Sequence, residues 1–214
     1  MAEQRGSWLT VVGIGPGSPA YLTPAAREAA EQAKVLIGGK RALALFKDLP
    51  VVKYRLTGDL ESLAAYLKKI YGQPTAVLVS GDPGFYSLLP WLKRQFPGEE
   101  IRVIPGISSM QMAFARLGAT WEEATFLSLH GRETDLLKPF LPALHQGTAR
   151  LVLLTGGRNS PAAVGRYLAT HGLGEYPVWV GVELGSDTER CLWLQASELA
   201  GLDLPEAVVV LGYD

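Results

Sequence analysis

The 214-residue sequence contains little of what several large classes of protein require. A single cysteine, Cys191, excludes an internal disulfide and every cluster of thiolate metal ligands. The three histidines are far apart and lack the spacing of metal ligands, so we expect no bound metal. The net charge of −1 leaves no basic excess for binding nucleic acid, so no nucleic-acid partner is expected.

Hydrophobic segments are also short. No apolar run approaches the roughly 20 residues of a membrane-spanning helix, so no membrane association is expected. The first residues, MAEQRGSW, lack the apolar core of a signal peptide. These features predict a cytoplasmic protein, and 214 residues suffice to bury a substantial core in one large domain or two small ones.

The sequence alternates short apolar runs with glycine-rich breaks. Ala76–Val79 is an unbroken apolar run, typical of a strand buried on both faces, and the turn formers Ser80–Gly84 follow it directly. Equivalent patterns predict ten strands in all: Leu9–Ile14, Val35–Ile37, Val51–Tyr54, Ala76–Val79, Ile101–Ile104, Ala124–Leu129, Arg150–Leu154, Val178–Val182, Arg190–Leu194 and Ala207–Leu211.

Capping residues and apolar spacing predict helices between these strands. Helix N-caps are expected at Thr23, Asp59, Ser108 or Ser109, and Ser160, and the first and last of these precede a proline. Apolar residues at helical spacing predict further helices over 85–96 and 136–144.

The order of elements predicts the fold class. Up to residue 118, strands alternate with helices, which implies a parallel, doubly wound sheet. The last three strands have no long helix between them, so some of their pairing must be antiparallel. We therefore predict two α/β domains, residues 1–118 with a parallel sheet and residues 119–214 with a mixed sheet, and an active site in the cleft between them.

Glycine-rich loops follow four of the predicted strands, two in each domain. The first, Gly13–Gly17, departs from a dinucleotide fingerprint because Pro16 falls inside the loop and Ser18-Pro19 stand where a phosphate-binding helix should begin. It is not a P-loop either, since no Gly-Lys-Ser/Thr follows. Each loop alone is consistent with a simple turn, but four of them predict a pocket for a small molecule.

Charged residues stand at the ends of two predicted strands. Asp82, within Ser80–Gly84, is predicted both to cap the following helix and to face a ligand. His130 and Arg132 follow the strand at 124–129, beside Gly131, where side chains can reach a pocket. An arginine there suits a substrate that carries carboxylates, whereas a structural histidine is the alternative interpretation.

Three segments, in this order and at this spacing, resemble the tetrapyrrole (precorrin) methylase family: VVGIGPGSPAYLTPAA, VSGDPGFYSL and VIPGISSMQMAFARLG. Three more, SLHGRE, LLTGGRNSP and VGVELGSDTER, are most similar to the branch of the family that methylates C5 of the corrin precursor in cobalamin synthesis. The resemblance extends from about Leu9 to Leu211. It implies two α/β domains, S-adenosylmethionine as the methyl donor, and a homodimer.

The resemblance also implies which residues contact the cofactor: Pro16, Gly81, Asp82, Phe85, Ser108, Ser109, Thr155, Gly156 and Leu184. Some members of the branch are fused to a second methyltransferase that acts at C15 and decarboxylates a side chain. The chain has no room for that domain, so we expect a separate protein to act at C15. The cobalt-containing route is the expected setting, with the metal in the substrate.

Methyl transfer from a sulfonium to a ring carbon requires alignment of the reactants rather than a protein nucleophile. A proton must still be accepted near the new bond, and His130 is the first candidate and Asp82 the second. Arg132 and Arg41 are expected to pair with acidic side chains of the substrate. The open alternatives are a methylase acting on diphthamide or ribosomal RNA, a nucleotide-dependent oxidoreductase, and a non-catalytic binding protein.

Overall fold

The computed structural model describes residues 7–130 and 134–213. The chain forms two compact units that divide between Ser108 and Ser109, and each unit contains one five-stranded sheet. The division falls before the predicted boundary at residue 118. Helix α5 (Ser109–Leu117) accounts for the difference, because its Phe114 packs edge-on against Trp121, Phe126 and Tyr213 of the second unit.

The first unit has a wholly parallel sheet in the order β3-β2-β4-β1-β5. Its apolar central strands are buried because hydrophobic clusters cover both faces of the sheet. Its strands are β1 (Leu9–Gly13), β2 (Val35–Gly38), β3 (Val52–Arg55), β4 (Thr75–Val79) and β5 (Ile101–Ile104). Its helices are α1 (Pro24–Glu31), α2 (Lys40–Ala44), α3 (Leu60–Lys69) and α4 (Leu89–Gln95), with a 3-10 turn at Pro19–Tyr21.

The second unit has a mixed sheet in the order β6-β7-β10-β8-β9. Strands β6 and β7 run parallel, and the other three pairings are antiparallel, as the missing helices between the last strands predict. Its strands are β6 (Thr125–Ser128), β7 (Leu151–Leu154), β8 (Pro177–Val182), β9 (Arg190–Gln195) and β10 (Ala207–Leu211). Besides α5, its helices are α6 (Leu141–His145), α7 (Pro161–Thr170) and α8 (Ala196–Ala200), with a 3-10 helix at Thr134–Phe140.

The predicted fold class, two α/β units with one parallel and one mixed sheet, is confirmed. Three predicted N-caps are also confirmed by side-chain acceptors. Thr23 accepts from the N–H of Ala26, Asp59 from that of Ser62, and Ser160 from that of Ala163. In the described part of the chain, no helix combines the length and apolar character that membrane crossing requires.

Two predicted helices differ from the observed ones. The helix predicted over 85–96 begins only at Leu89, because Tyr86 adopts a left-handed conformation (φ +49°) that a helix cannot continue. The helix predicted over 136–144 is a 3-10 helix followed by the short α6. Pro139 and Pro142 interrupt the α-helical hydrogen bonding there, because proline lacks the N–H that each turn needs.

Candidate active site

The carboxyl ends of β4, β1 and β5 lie side by side and bring three glycine-containing loops together. The first two loops are joined by a pair of main-chain hydrogen bonds. Gly15 N donates to Gly81 O over 3.3 Å, and Gly81 N donates to Gly15 O over 2.8 Å. The fold therefore pairs Gly81, a predicted cofactor residue, with Gly15, the residue directly before Pro16, although the two come from distant parts of the sequence.

Gly13, Gly81 and Gly106 form what we call the glycine junction. A Cβ atom on Gly13 would lie 2.6 Å from Gly106 N and 2.7 Å from Gly81 O. A Cβ atom on Gly106 would lie closer still to Gly81 O and 2.6 Å from Gly13 C. Only glycine permits this approach, because the neighbouring atoms belong to main chain that cannot swing aside. The three loops therefore meet through their main chains at this edge of the sheet.

Asp82 fastens the second loop to the third. Its Oδ1 accepts from the N–H of Gly84 over 2.7 Å, and its Oδ2 accepts from the N–H of Gly106 over 3.1 Å. The predicted helix cap is wrong, because α4 begins at Leu89 and its N-cap residue makes no side-chain bond. Charge-assisted bonds of this kind are strong, so the Asp82 carboxylate holds the glycine junction in shape.

Phe85 and Tyr86 present aromatic surface directly after this loop. Their rings meet edge to face with centroids 5.0 Å apart, and Phe85 N donates to Asp82 O over 3.1 Å. The left-handed conformation of Tyr86, a non-glycine residue, costs on the order of 1–3 kcal/mol, and such strain is concentrated at functional sites. This local geometry supports the prediction that the Phe85 region contacts a ligand.

Three further predicted residues, Ser108, Arg41 and Ser109, occupy different environments. Ser108 is buried and lies two residues after Gly106, so it belongs to the third loop. Arg41 is exposed on α2, which follows β2, the strand on the far side of β4 from β1. Ser109 begins α5 in the second unit. The structure therefore places Ser108, but not Arg41, in a loop of the glycine junction.

In the second unit, Thr155 follows β7 and is hydrogen-bonded to Ala207, the first residue of β10. Its buried hydroxyl donates to Ala207 O and accepts from Ala207 N, both over 2.9 Å. Its own N–H also donates to Ala207 O over 3.1 Å. The Thr155 hydroxyl is therefore engaged in the sheet, and any cofactor contact at this position is expected from main-chain atoms.

Replacing Thr155 with valine is expected to lower the free energy of unfolding by about 2–3 kcal/mol, because the buried N–H of Ala207 loses the hydroxyl oxygen to which it donates. Thr155→Ser is the matched control, since it keeps the hydroxyl and is expected to lose about half as much or less. Urea unfolding of both variants measures the difference. Equal losses in the two variants would contradict a role for the hydroxyl.

His130 lies over the next predicted residue, Gly156. A Cβ atom on Gly156 would overlap Nδ1 of His130 and would lie 3.0 Å from Oε1 of Glu206. His130 Nδ1 and Glu206 Oε1 are 3.6 Å apart, and both side chains are 65% exposed. Such an exposed pair contributes little to stability, so the arrangement is better suited to orienting an accessible imidazole than to holding the fold together.

Leu184 lies in the loop between β8 and β9, between two residues in the left-handed region. Glu183 has φ +48° and Gly185 has φ +79°. The Leu184 side chain is buried and packs over Gly181 of β8. Arg132, the other predicted substrate residue, lies outside the described residues.

The donor groups around the glycine junction fit the cofactor that the resemblance implies. S-Adenosylmethionine carries a sulfonium, an α-amino group and a flat adenine ring. The carbonyl oxygens of Gly15 and Gly81 each keep a second lone pair beside the main-chain bond that they accept, Asp82 offers carboxylate oxygens with lone pairs beyond those already engaged, and Phe85 offers aromatic surface. The described residues contain no group of three or more metal-ligating side chains.

Sequence reasoning missed two residues that the structure brings into these clusters. Gly106 stands in the Pro105-Gly106 turn after the strand at 101–104, and a glycine in a turn is by itself only a weak signal of close main-chain approach. Glu206 carries no local signal at all, because it reaches His130 only through the pairing of β10 with β7.

Comparison with known proteins gives a consistent picture. A profile of the family described as Tetrapyrrole (Corrin/Porphyrin) Methylases matches residues 8–200. The chain is 34% identical over 203 residues to a cobalt-precorrin-7 C(5)-methyltransferase of Salmonella typhimurium, covering 95% of this chain and 98% of that protein. It is 35% identical over 190 residues to a precorrin-6Y C(5,15)-methyltransferase [decarboxylating] of a Sinorhizobium species, covering 86% of this chain and 44% of that longer protein.

A solved structure shares the fold. The uroporphyrin-III C-methyltransferase of Thermus thermophilus, crystallised with S-adenosylhomocysteine, superposes with a TM-score of 0.73 at 22% identity. The match covers 95% of this chain and 91% of that one.

Proposed function

Because the chain belongs to the tetrapyrrole methylase family, we propose that it transfers a methyl group from S-adenosylmethionine to C5 of a cobalt-precorrin in cobalamin biosynthesis. The observation that carries this proposal is the 34% identity to a relative named for that reaction, extending over nearly the full length of both chains. The loops that meet at the glycine junction support it independently, because the carbonyl oxygens of Gly15 and Gly81 and the Asp82 carboxylate keep lone pairs that can accept from a small, positively charged cofactor.

The proposed cofactor site consists of main-chain and aromatic groups on the loops described above. When bound, S-adenosylmethionine supplies an electrophilic methyl group. The glycine junction and Asp82 hold the surrounding loops in place, so the loops need little rearrangement to align the methyl donor with the substrate. The proposed contact residues are Pro16, Gly81, Asp82, Phe85, Ser108, Ser109, Thr155, Gly156 and Leu184.

His130 is the proposed proton acceptor. Its imidazole is accessible and lies beside Gly156, and the Glu206 carboxylate is placed to orient the ring. Both Asp82 oxygens already accept main-chain N–H groups, which favours a positioning role for this carboxylate. Arg132 and Arg41 remain the proposed partners for substrate carboxylates.

The other readings of the sequence have less support. Neither relative described above is named for diphthamide, ribosomal RNA or nicotinamide chemistry. A separate protein is proposed to act at C15, because the relative that is matched over 98% of its own length is named for C5 alone. A homodimer and a cytoplasmic location complete the proposal, and sedimentation of the purified protein tests the dimer.

The function is tested by incubating the protein with S-adenosylmethionine labelled with ¹³C in its methyl group and a precorrin-7-stage substrate. NMR of the product is expected to locate the label at C5. A matched reaction with ribosomal RNA is expected to incorporate no label. Labelling at another ring carbon, or transfer to RNA instead of the corrin precursor, would contradict the proposal.

A further inference from the structure

The loop between β8 and β9, residues 183–189, is closed on itself, and we call it the Leu184 loop. Ser186 N donates to Glu183 O over 3.0 Å, and Glu189 N donates to Ser186 O over 3.2 Å. The Thr188 hydroxyl also donates to the Glu183 carboxylate. These bonds fold the loop tightly around Leu184, the residue that the family resemblance assigns to the cofactor.

Glu189 anchors this loop from within. One carboxylate oxygen, Oε2, accepts from the N–H of Gly185 over 2.5 Å. Gly185 is the residue directly after Leu184. The side chain is 20% exposed, so the carboxylate is largely withdrawn from water. A withdrawn carboxylate requires a charged partner, because burying an unpaired charge is costly.

Arg116 supplies that partner. Its Nε lies 2.5 Å from Glu189 Oε1 and its Nη2 lies 3.2 Å from Glu189 Oε2, which is a bidentate arrangement. The hydrogen bond from Arg116 lowers the pKa of the Glu189 carboxyl below its ordinary value, and the N–H of Gly185 acts in the same direction. Glu189 is therefore ionised at neutral pH, and the pair is a charge-assisted contact.

Arg116 lies in the last turn of α5, the helix that begins at Ser109. Ser109 and Leu184 are both proposed cofactor residues, so one ion pair connects the two segments of the second unit that carry them. A helix transmits position well because its main-chain bonds keep it rigid. Loss of the pair would release the Leu184 loop from α5 while leaving every proposed cofactor residue unchanged.

We propose that Arg116 and Glu189 are positioning residues that hold the Leu184 loop against helix α5 in the geometry that binds the cofactor. The role for cofactor binding rests on the proposed function, whereas the restraint of the loop rests on the hydrogen bonds alone. Neither side chain is proposed to touch the cofactor. The pair acts through Gly185 N–H, which fixes the main chain immediately after Leu184.

The first measurement is calorimetric titration of S-adenosylhomocysteine into the full chain and into Arg116→Ala, Glu189→Gln and the double variant. Each single variant is expected to bind about tenfold more weakly, the usual effect of losing a charge-assisted hydrogen bond. The double variant is expected to bind no more weakly than either single one, because both changes break the same contact. Arg116→Lys keeps the charge but cannot make the two parallel hydrogen bonds of the guanidinium, and it is expected to recover part of the affinity.

The matched control is Arg27→Ala, which removes an exposed ion pair with Glu31 at 4.0 Å on α1. It is expected to leave the affinity unchanged. If Arg116→Ala and Glu189→Gln bind S-adenosylhomocysteine as tightly as the unaltered protein while their melting temperatures fall, the pair is purely structural and the inference is overturned.

Amide hydrogen exchange separates this inference from the proposed function, because it needs no ligand. Exchange of the Leu184 loop amides is expected to accelerate about tenfold in Arg116→Ala, with β1 and β4 unaffected. Unchanged exchange in the loop overturns the positioning role. Accelerated exchange in a protein that never binds S-adenosylhomocysteine overturns the proposed function and leaves the restraint of the loop supported.

Discussion

Gly106→Ala is expected to lower the free energy of unfolding by about 3 kcal/mol, at the upper end of overpacking effects, and to abolish cofactor binding. The added methyl group would meet Gly81 O and Gly13 C, which belong to the main chain of two other loops. Gly106 is not in the left-handed region, so the backbone conformation itself tolerates alanine. The whole effect therefore reports the close approach of the three loops.

Gly39→Ala is the matched control for this variant. Gly39 is also a glycine of the first unit with an ordinary conformation (φ −66°), and a Cβ atom there would meet nothing within 4 Å. It is expected to cost no more than about 1 kcal/mol, as for other helix N-caps. Thermal unfolding and titration with S-adenosylhomocysteine measure both variants. Similar stability of Gly106→Ala and Gly39→Ala would refute the glycine junction as a constraint on the fold.

His130→Ala is expected to lower kcat for methyl transfer by about 10²- to 10⁴-fold, the range typical of losing a general acid–base group. Stability should barely change, because the imidazole is 65% exposed and 3.6 Å from its carboxylate neighbour. His171→Ala is the matched control and is expected to leave kcat unchanged. The His171 ring packs against Tyr167 at the end of α7 and has no proposed part in the reaction.

Gly156→Ala examines the same role without removing the imidazole. The new methyl group would overlap His130 Nδ1, and the ring tip is free to move aside at little cost in stability. A lower kcat in both His130→Ala and Gly156→Ala, with unchanged melting temperatures and an unchanged affinity for S-adenosylhomocysteine, is the expected result. An unaltered kcat in His130→Ala would assign the proton to another acceptor.

Local patterns predicted the elements of this fold well, for a physical reason. Most strands are short, largely apolar runs that end in turn formers, and the caps at Thr23, Asp59 and Ser160 depend on neighbours within three residues. Where the prediction was wrong, the cause was also local: Tyr86 takes a left-handed conformation, and Pro139 and Pro142 interrupt a helix whose apolar spacing is otherwise regular.

The candidate site was predictable only in part, because its contacts join distant segments. The glycine loops were visible as breaks after strands, yet the bond from Gly106 to Asp82 depends on β5 lying beside β1. Glu206 and the Arg116–Glu189 pair have no sequence signal, since ordinary charged residues become partners only after the sheet and α5 are in place. Strand order, which apolar spacing does not encode, decides these contacts.

The strand order of the first unit has a consequence for how that unit folds. Strand β1 occupies an inner position, but its Leu9 is paired with Thr75 on one side and Ile101 on the other. During synthesis, β1 therefore has no partner strand until β4 has been made, which is after more than half of the unit. Pairing strands that are far apart in the sequence is slow, so the first unit should fold late and in one concerted step.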